Sequence, residues 1–570
     1  MSITNPDARS LVADTRASVA SYIKSGQPYI WLTAAAITVA FIITCALLVL
    51  TAARGLPHFW PAGLVQARYL QPGAPAVDVL AEIRSREEVT AARLKNAGLP
   101  VSEDQPLYER LLIKVGNRDL LGSDFRFVLS DWLVERSYPR DAVVLERMEW
   151  GNFHGFLESV RIDGKVVEGE AAWTAYRAAQ GRVNELRERI RDIEKVQIGS
   201  VNYELERLRL AERRLQIEGK TPQSHPDAYA ELAARRKEQD ARYQQLREQL
   251  VDLNREANRD TVTMRTVDGQ LIEMPIFKLV DGYRPNAMGT FEKLGHFFAK
   301  VWSFVSDEPR EANTEGGIFP AIFGTVLMVL IMSVIVTPFG ILAALYLREY
   351  ARQGPLTQAI RIAVNNLAGV PSIVFGMFGL GFFVYFIGAG IDRAFYPEAS
   401  PAPVFGTPGL LWSSLTLALL TLPVVIVATE EGLARIPRSI REASLALGAT
   451  KAETLWRVVL PMASPAMMTG LILAIARAAG EVAPLMLVGV VKLAPSLPLD
   501  GNFPFIHLER KFMHLGFHIY DVGFQSPNVE AARPLVYATS FLLVLVVISL
   551  NVTAITIRNR LRERYKALDH

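Results

Sequence analysis

Two opposite charges, Arg477 and Glu481, interrupt the otherwise uncharged apolar stretch Pro465–Val490. Counted from Ala466, Arg477 falls about 11 residues, or ~16 Å, into a helix, close to the middle of a lipid bilayer. A guanidinium at that depth is costly unless it faces a partner or a polar cavity. One turn later, Glu481 falls on the same helical face. The arginine fork matches two oxygens of an oxyanion such as phosphate. The carboxylate can accept a hydrogen bond from a protonated phosphate, whereas fully deprotonated sulfate has no proton to give. The pair is therefore expected to line a pathway that attracts one oxyanion and rejects another. The alternative is a buried Arg–Glu bridge that only holds helices together.

Weaker polar candidates for the same pathway are Asn365, Asn366 and Ser372, in the apolar segment Ile362–Gly390. Interhelical hydrogen bonding would equally account for them. A different pattern lies between two apolar segments. Glu442-Ala443-Ser444 is followed after three residues by Gly448, and after nine more by Val458-Val459-Leu460-Pro461. Glu442–Leu447 can form a short helix across the membrane face, which Gly448 ends by letting the backbone turn. Leu460-Pro461 would start the return to the membrane.

These residues need a membrane frame, and the composition supplies one. Half of the 570 residues are hydrophobic, 21% are charged, and mean hydropathy is +0.19. Six apolar runs stand out: Ile30–Ala53, Ile318–Leu347, Ile362–Gly390, Pro408–Thr429, Pro465–Val490 and Pro534–Ile557. Each is long enough to cross a hydrocarbon core of ~30 Å. The first lacks a small-residue cleavage site and reads as an anchor, not a removed signal. Basic residues set the orientation. Arg348–Arg361, Glu430–Ser464 and the tail 558–570 are rich in Arg and Lys, whereas Ile391–Thr407 has only Arg393. Both termini are therefore expected in the cytoplasm of a multi-pass inner (plasma) membrane protein. The expected order is a cytoplasmic N-terminus 1–29, helix 1 at 30–53, an extracytoplasmic domain 54–315, helices 2–6 within 318–557, and the tail.

The outer region reads as an α+β domain. Leu111–Val115, Phe125–Leu133, Ala142–Leu145 and Val160–Val167 have strand composition, and strand character returns over Thr261–Leu279. Between them, apolar residues three and four apart run along two charged helices within about 170–258. Val183, Leu186, Ile190 and Ile193 lie on the first arm, with a phase shift near Gly199. Tyr243, Leu246, Leu250 and Leu253 lie on the second. Gly219–Pro226 supplies the turn. An antiparallel coiled coil is expected, either a docking arm or a solvated spacer.

Several chemistries are excluded. Gly219-Lys220-Thr221 resembles the end of a phosphate-binding loop, but Arg214 stands where the first glycine is needed. The single cysteine, Cys45, excludes an intrachain disulfide framework and any Cys-built zinc site. His514 and His518 share a spacing of four without a flanking acid, so no metal is expected. A net charge of +3 argues against nucleic-acid binding. No cofactor and no catalytic residue is expected in the chain.

The Glu442–Pro461 pattern resembles the loop through which ATP-binding-cassette importer permeases meet their ATPase. Ala368–Gly376 and Ala476–Pro484 resemble the phosphate-specific branch of that family, and the likeness covers about Phe319–Arg558. It implies a type I importer permease fold with six transmembrane helices, without an ATPase site. It also implies a coupling role for Glu442, Ala443, Ser444, Gly448, Leu460 and Pro461. The implied partners are a second homologous permease subunit, two ATPase subunits that hydrolyse ATP, and an extracytoplasmic phosphate-binding protein. The outer domain departs from the short members, so a signalling partner remains open. The alternatives are a permease for another oxyanion and a membrane signalling scaffold built on the coiled coil.

Overall fold

The computed structural model describes residues 25–102, 105–310, 313–526 and 529–566. Most of the expected cytoplasmic N-terminus and the end of the tail lie outside these residues. Among the described residues, six helices are long and apolar enough to cross a membrane: Tyr29–Phe59, Phe319–Tyr350, Ser372–Phe395, Leu410–Ala434, Lys451–Gly480 and Ala532–Arg560.

Two boundaries differ from expectation. The third span begins at Ser372, not Ile362. Pro371 disfavours helical geometry in the residue before it and lacks an N–H. The chain therefore breaks there and leaves a separate helix, Pro355–Leu367. The fifth span begins far earlier than expected. Thr450 caps it by accepting from the Glu453 N–H at 3.3 Å, and the Glu453 carboxylate accepts from the Thr450 N–H at 2.9 Å. The helix then runs through Pro461, with a π turn at Leu455–Val459 just before it. Leu460-Pro461 is therefore inside the span and not its start.

The spans pack where side chains are small. A Cβ on Gly470 would meet the Ala428 methyl at 2.6 Å, and one on Gly340 would meet Val425 at 2.5 Å. Such contacts let backbones approach where lipid supplies no hydrophobic drive between helices. Met328, Met332, Leu417, Val425 and Ala474 form the buried centre.

The outer domain holds two large antiparallel sheets, ordered β4-β3-β2-β1-β5 and β10-β9-β7-β6-β11, with β8 paired to β7, and a two-stranded pairing of Pro309–Arg310 with Glu315–Gly316. β1 (Leu64–Tyr69) and β2 (Val77–Thr90) were not expected from the sequence. β3 is Leu107–Lys114. The expected strand Phe125–Leu133 divides into β4 (Phe125–Leu129) and β5 (Leu133–Ser137), separated by a 3-10 turn. β6 (Ala142–Arg147) leads to β7 (Asn152–Ile162), which turns at Asp163-Gly164 into β8 (Lys165–Glu168). β9 (Thr261–Arg265), β10 (Leu271–Pro275) and β11 (Leu279–Tyr283) close the second sheet, whose core includes Phe153, Val160, Val262 and Met264.

A helical hairpin is inserted between β8 and β9. Its first arm is Glu170–Arg191 and Ile198–Ile217, joined by a π turn at Asp192–Gln197; its second is Pro226–Ala257. Tyr176 and Val183 root the first arm in the sheet core. Further out, Ile193 and Val201 pack with Leu246, beside Leu205 and Tyr243. The π turn supplies the phase shift seen near Gly199.

The helix Thr290–Ser306 leads from β11 toward the second span. Lys300 pairs with Glu146, and Arg310 reaches the same carboxylate at 2.5 Å. Burial pushes the Glu146 carboxyl up, but the two cations outweigh it and hold it well below the usual range.

Candidate functional site

Arg477 lies in the last turn of the fifth span, which ends at Gly480. It is therefore not midway along that helix. Glu481 has left the helix, with extended backbone at φ −80° and ψ 129°. The two side chains still meet, Arg477 Nε lying 3.6 Å from Glu481 Oε1. The contact forms because the chain turns at the helix end, not because the residues stack along one face. The Arg477 side chain is 36% exposed and that of Glu481 is 22% exposed. Neither is enclosed by its own chain, so the pair opens onto space beyond it.

The segment after Glu481 positions this pair. Val482–Pro484 leads into the short helix Leu485–Val488, whose Leu485 and Val488 are buried. Pro484 packs against Gly376 of the third span so closely that a Cβ there would lie 2.7 Å from the Pro484 Cα. Only a glycine admits this approach. The stretches Ala368–Gly376 and Ala476–Pro484 thus meet in space, which spacing alone could not show. Ser372 begins the helix that carries Gly376 and is half-buried. Asn365 and Asn366 lie one element earlier, exposed in the last turn of Pro355–Leu367. The structure ties Ser372 to the meeting point through its helix and leaves the two asparagines outside it.

On the opposite side, the loop after the fourth span forms a helix over Arg438–Ala446, longer than the expected Glu442–Leu447. Gly448 ends it at φ +88°, and the Ala449 N–H donates back to the Ser444 carbonyl at 3.3 Å. Side-chain contacts of Arg441 and Ser444 brace this helix. Arg441 reaches Glu349 Oε1 at 2.8 Å and the Leu433 carbonyl at 2.9 Å, and Ser444 Oγ lies 2.9 Å from Thr454 Oγ1. Lys451 donates to the Glu349 carbonyl at 2.5 Å. Glu442, Ala443 and Gly448 remain exposed, and Leu447 is 90% exposed. Leu445 and Leu447 thus leave apolar surface bare at the end of the braced helix. The Arg441–Glu349 anchor had no local signal in the sequence, since its members are far apart in the chain.

The hairpin is not a free arm. Arg214 pairs with the nearly buried Glu398 at 2.5 Å, and the Tyr203 hydroxyl donates to the Phe503 carbonyl. The Tyr203 ring also lies 5.9 Å from that of His507. Both contacted residues sit in loops on the outer-domain side of the spans. The second loop is itself rigid: His507 lies 2.9 Å from Asp500 and 3.1 Å from Glu509, and Arg510 lies 2.6 Å from Asp500. Reversing one charge in Arg214→Glu should release this end of the hairpin. Protease cleavage around Lys220–His225 should then become faster, while the permease core remains folded; an unchanged rate would show that the contact does not restrain the hairpin.

His514 and His518 are buried, and His514 Nδ1 accepts from the Gly516 N–H at 3.1 Å. Among the described residues, no group of three His, Cys, Asp or Glu side chains could hold a metal.

Residues 336–567 match the family of binding-protein-dependent transport system inner membrane components. The phosphate transport system permease protein PstA of Mycobacterium leprae is 36% identical over 33% of this chain and 56% of its own length. PstA 1 of Mycobacterium tuberculosis (strain CDC 1551 / Oshkosh) is 34% identical over 43% of this chain and 71% of its own. A solved structure of the MetNI methionine ABC transporter in an inward-facing conformation aligns with a TM-score of 0.31 and 18% identity. It covers 46% of this chain and 98% of that one.

Proposed function

From the premise that the chain belongs to the binding-protein-dependent transport system inner membrane component family, we propose that it is the permease subunit of an ATP-driven inorganic phosphate importer. The observation that carries the site reading is the meeting of Gly376 and Pro484 beside the Arg477–Glu481 pair. The pair belongs to the face that a second, homologous permease subunit completes. Phosphate passes there, held by the Arg477 fork and tested for a proton by Glu481. The substrate assignment draws on the phosphate permeases among the relatives.

Coupling runs through the Arg438–Ala446 helix. One of two ATPase subunits takes Leu447 and its exposed neighbours into a cleft. Closure is transmitted through Arg441 and Lys451 to the inner end of the second span at Glu349. An extracytoplasmic phosphate-binding protein delivers the anion on the side of the strand domain. The chain itself carries no ATPase site and binds no cofactor.

The test is reconstitution of the full chain with its companion subunits and binding protein in liposomes. ATP should drive phosphate inward. ATP-driven uptake of a different oxyanion, with phosphate excluded, would overturn the substrate but leave the permease reading intact.

Orientation is separately testable. Protease added to intact spheroplasts should cut at Lys220–His225, the exposed hairpin turn. Cleavage only in inverted vesicles would place the strand domain in the cytoplasm and exclude the coupling role of Glu442, Ala443, Ser444 and Gly448.

A further inference from the structure

The helix Thr290–Ser306 has two opposite faces. Its inner face is held by the protein. The His296 ring lies 4.4 Å from that of Tyr283, Lys300 lies 3.0 Å from Asp281, and the Phe304 ring lies 4.9 Å from that of Phe59. Phe291, Leu294, Phe298 and Trp302 follow at steps of three and four. At about 100° per residue they fall within an arc of about 80°, opposite His296 and Lys300. All four are exposed, Phe291 at 91% and Trp302 at 72%. A water-facing helix of a folded domain would put polar residues there.

The flanking contacts fix the height of this helix. At its end, the Ile318 N–H donates to the Phe304 carbonyl at 2.8 Å, and the Phe319 N–H donates to the Asp307 carbonyl at 3.1 Å. Phe319 opens the second span. Phe59, which packs on Phe304, closes the first span, and the next residue, Trp60, lies 6.1 Å from Phe297 between the ring centroids. The helix therefore runs past the point where two spans leave the membrane, with its apolar row turned away from the protein.

We infer that Phe291, Leu294, Phe298 and Trp302 seat this helix in the interfacial layer of the leaflet on the strand-domain side, with lipid as the occupant of the exposed face. Aromatic rings suit that layer, because they combine an apolar body with tolerance of a wet boundary. An amphipathic helix buries its apolar face between headgroups and acyl chains. The inner face, clamped by Lys300 and His296, then fixes the strand domain against the membrane. This anchor is independent of which anion the permease carries.

The experiment uses the full chain in nanodiscs of phosphatidylethanolamine and phosphatidylglycerol. Cys45 is the only cysteine, so Cys45→Ala allows a single bimane label at Phe291→Cys or Trp302→Cys. Lipids brominated high on the acyl chain should quench both labels several-fold more than a label at Leu271→Cys, an exposed site on β10. The two labels should report the same depth. A depth difference approaching ~16 Å, the rise over eleven residues, would mean an upright helix and overturn the inference. Quenching no greater than at Leu271 would show a face in water. Quenching that disappears once the companion subunits assemble would show a face covered by protein. The conservative Trp302→Phe change gives a label-free reading, since it should lower the lipid-quenched share of tryptophan emission; no change in that share would also overturn the inference.

Discussion

Glu481→Gln should yield a complex that assembles normally but transports phosphate poorly and no longer excludes sulfate. Two readings of the Arg477–Glu481 pair diverge on this variant. If the pair were a sealed bridge, removing the carboxylate would strand a buried cation at a cost of ~3–5 kcal/mol, and assembly would fail. The observed pair is long, at 3.6 Å, and both members keep exposed surface. If that surface faces a hydrated pathway, the pair contributes about 1 kcal/mol or less, and the fold tolerates its loss. The chemical consequence is larger. The Gln amide can donate a hydrogen bond where Glu only accepted, so an anion without a proton is no longer penalised. Uptake by the reconstituted complex, measured with sulfate as competitor and with the binding protein's selectivity bypassed, provides the check. Normal assembly with unchanged phosphate transport and unchanged sulfate exclusion would remove Glu481 from the pathway; loss of the complex would restore the bridge.

Gly448→Val should leave the chain in the membrane and stop ATP-driven uptake. At φ +88° a side chain is strained, by ~1–2 kcal/mol for an L-residue and more for a β-branched one. No neighbour lies within 4 Å of the position a Cβ would take, so the penalty comes from the backbone and not from a clash. The chain can relieve it only by unwinding the turn that ends the Arg438–Ala446 helix. That shifts Leu447, the exposed apolar side chain just past the helix, while Arg441 still holds the helix to Glu349. Binding of the ATPase subunit and ATP-driven transport should both fall. Gly448→Asn, which tolerates positive φ better, should recover much of each. Wild-type values of both in Gly448→Val would show that this turn takes no part in coupling.

The spans are legible in the sequence because a folded chain outside a membrane rarely needs uncharged runs of such length. Their edges are less so, since a long apolar run hides the breakers inside it. Pro371 and Gly480 are strong breakers, yet Ile362–Gly390 and Pro465–Val490 run through them as if continuous. The Thr450-x-x-Glu453 cap was equally readable and marks the true start of the fifth span. The charge pair is legible as a pair but not as a helix terminus. β2 places Val77, Val79, Ala81 and Ile83 at alternate positions, but the apolar Leu80 between them and the charges that follow blur the strand signal. The apolar row Phe291, Leu294, Phe298 and Trp302 has helical spacing, but it is too short and too mixed to stand out beside the spans. Contacts such as Gly376 with Pro484, or Arg214 with Glu398, have no local signature. They depend on where distant segments are carried by the whole chain.

The π turn at Asp192–Gln197 works as an angular offset in a measuring rod. Tyr203 and Arg214 lie eleven residues apart, close to three whole helical turns, so one helix face meets both outer loops about 16 Å apart. Which face that is depends on everything upstream, because each residue added to a helix turns all that follows by about 100°. The root of the rod is fixed in azimuth by Tyr176 and Val183 in the sheet core. The wide turn slips extra chain between root and contacts, setting the angle at which Tyr203 and Arg214 face their loops. Single-residue insertions or deletions between Arg191 and Tyr203 would therefore spoil the fit by rotation, although the helix itself would survive. Length changes in the hairpin should be tolerated beyond Arg214, toward the Gly219 turn, which lies past both contacts.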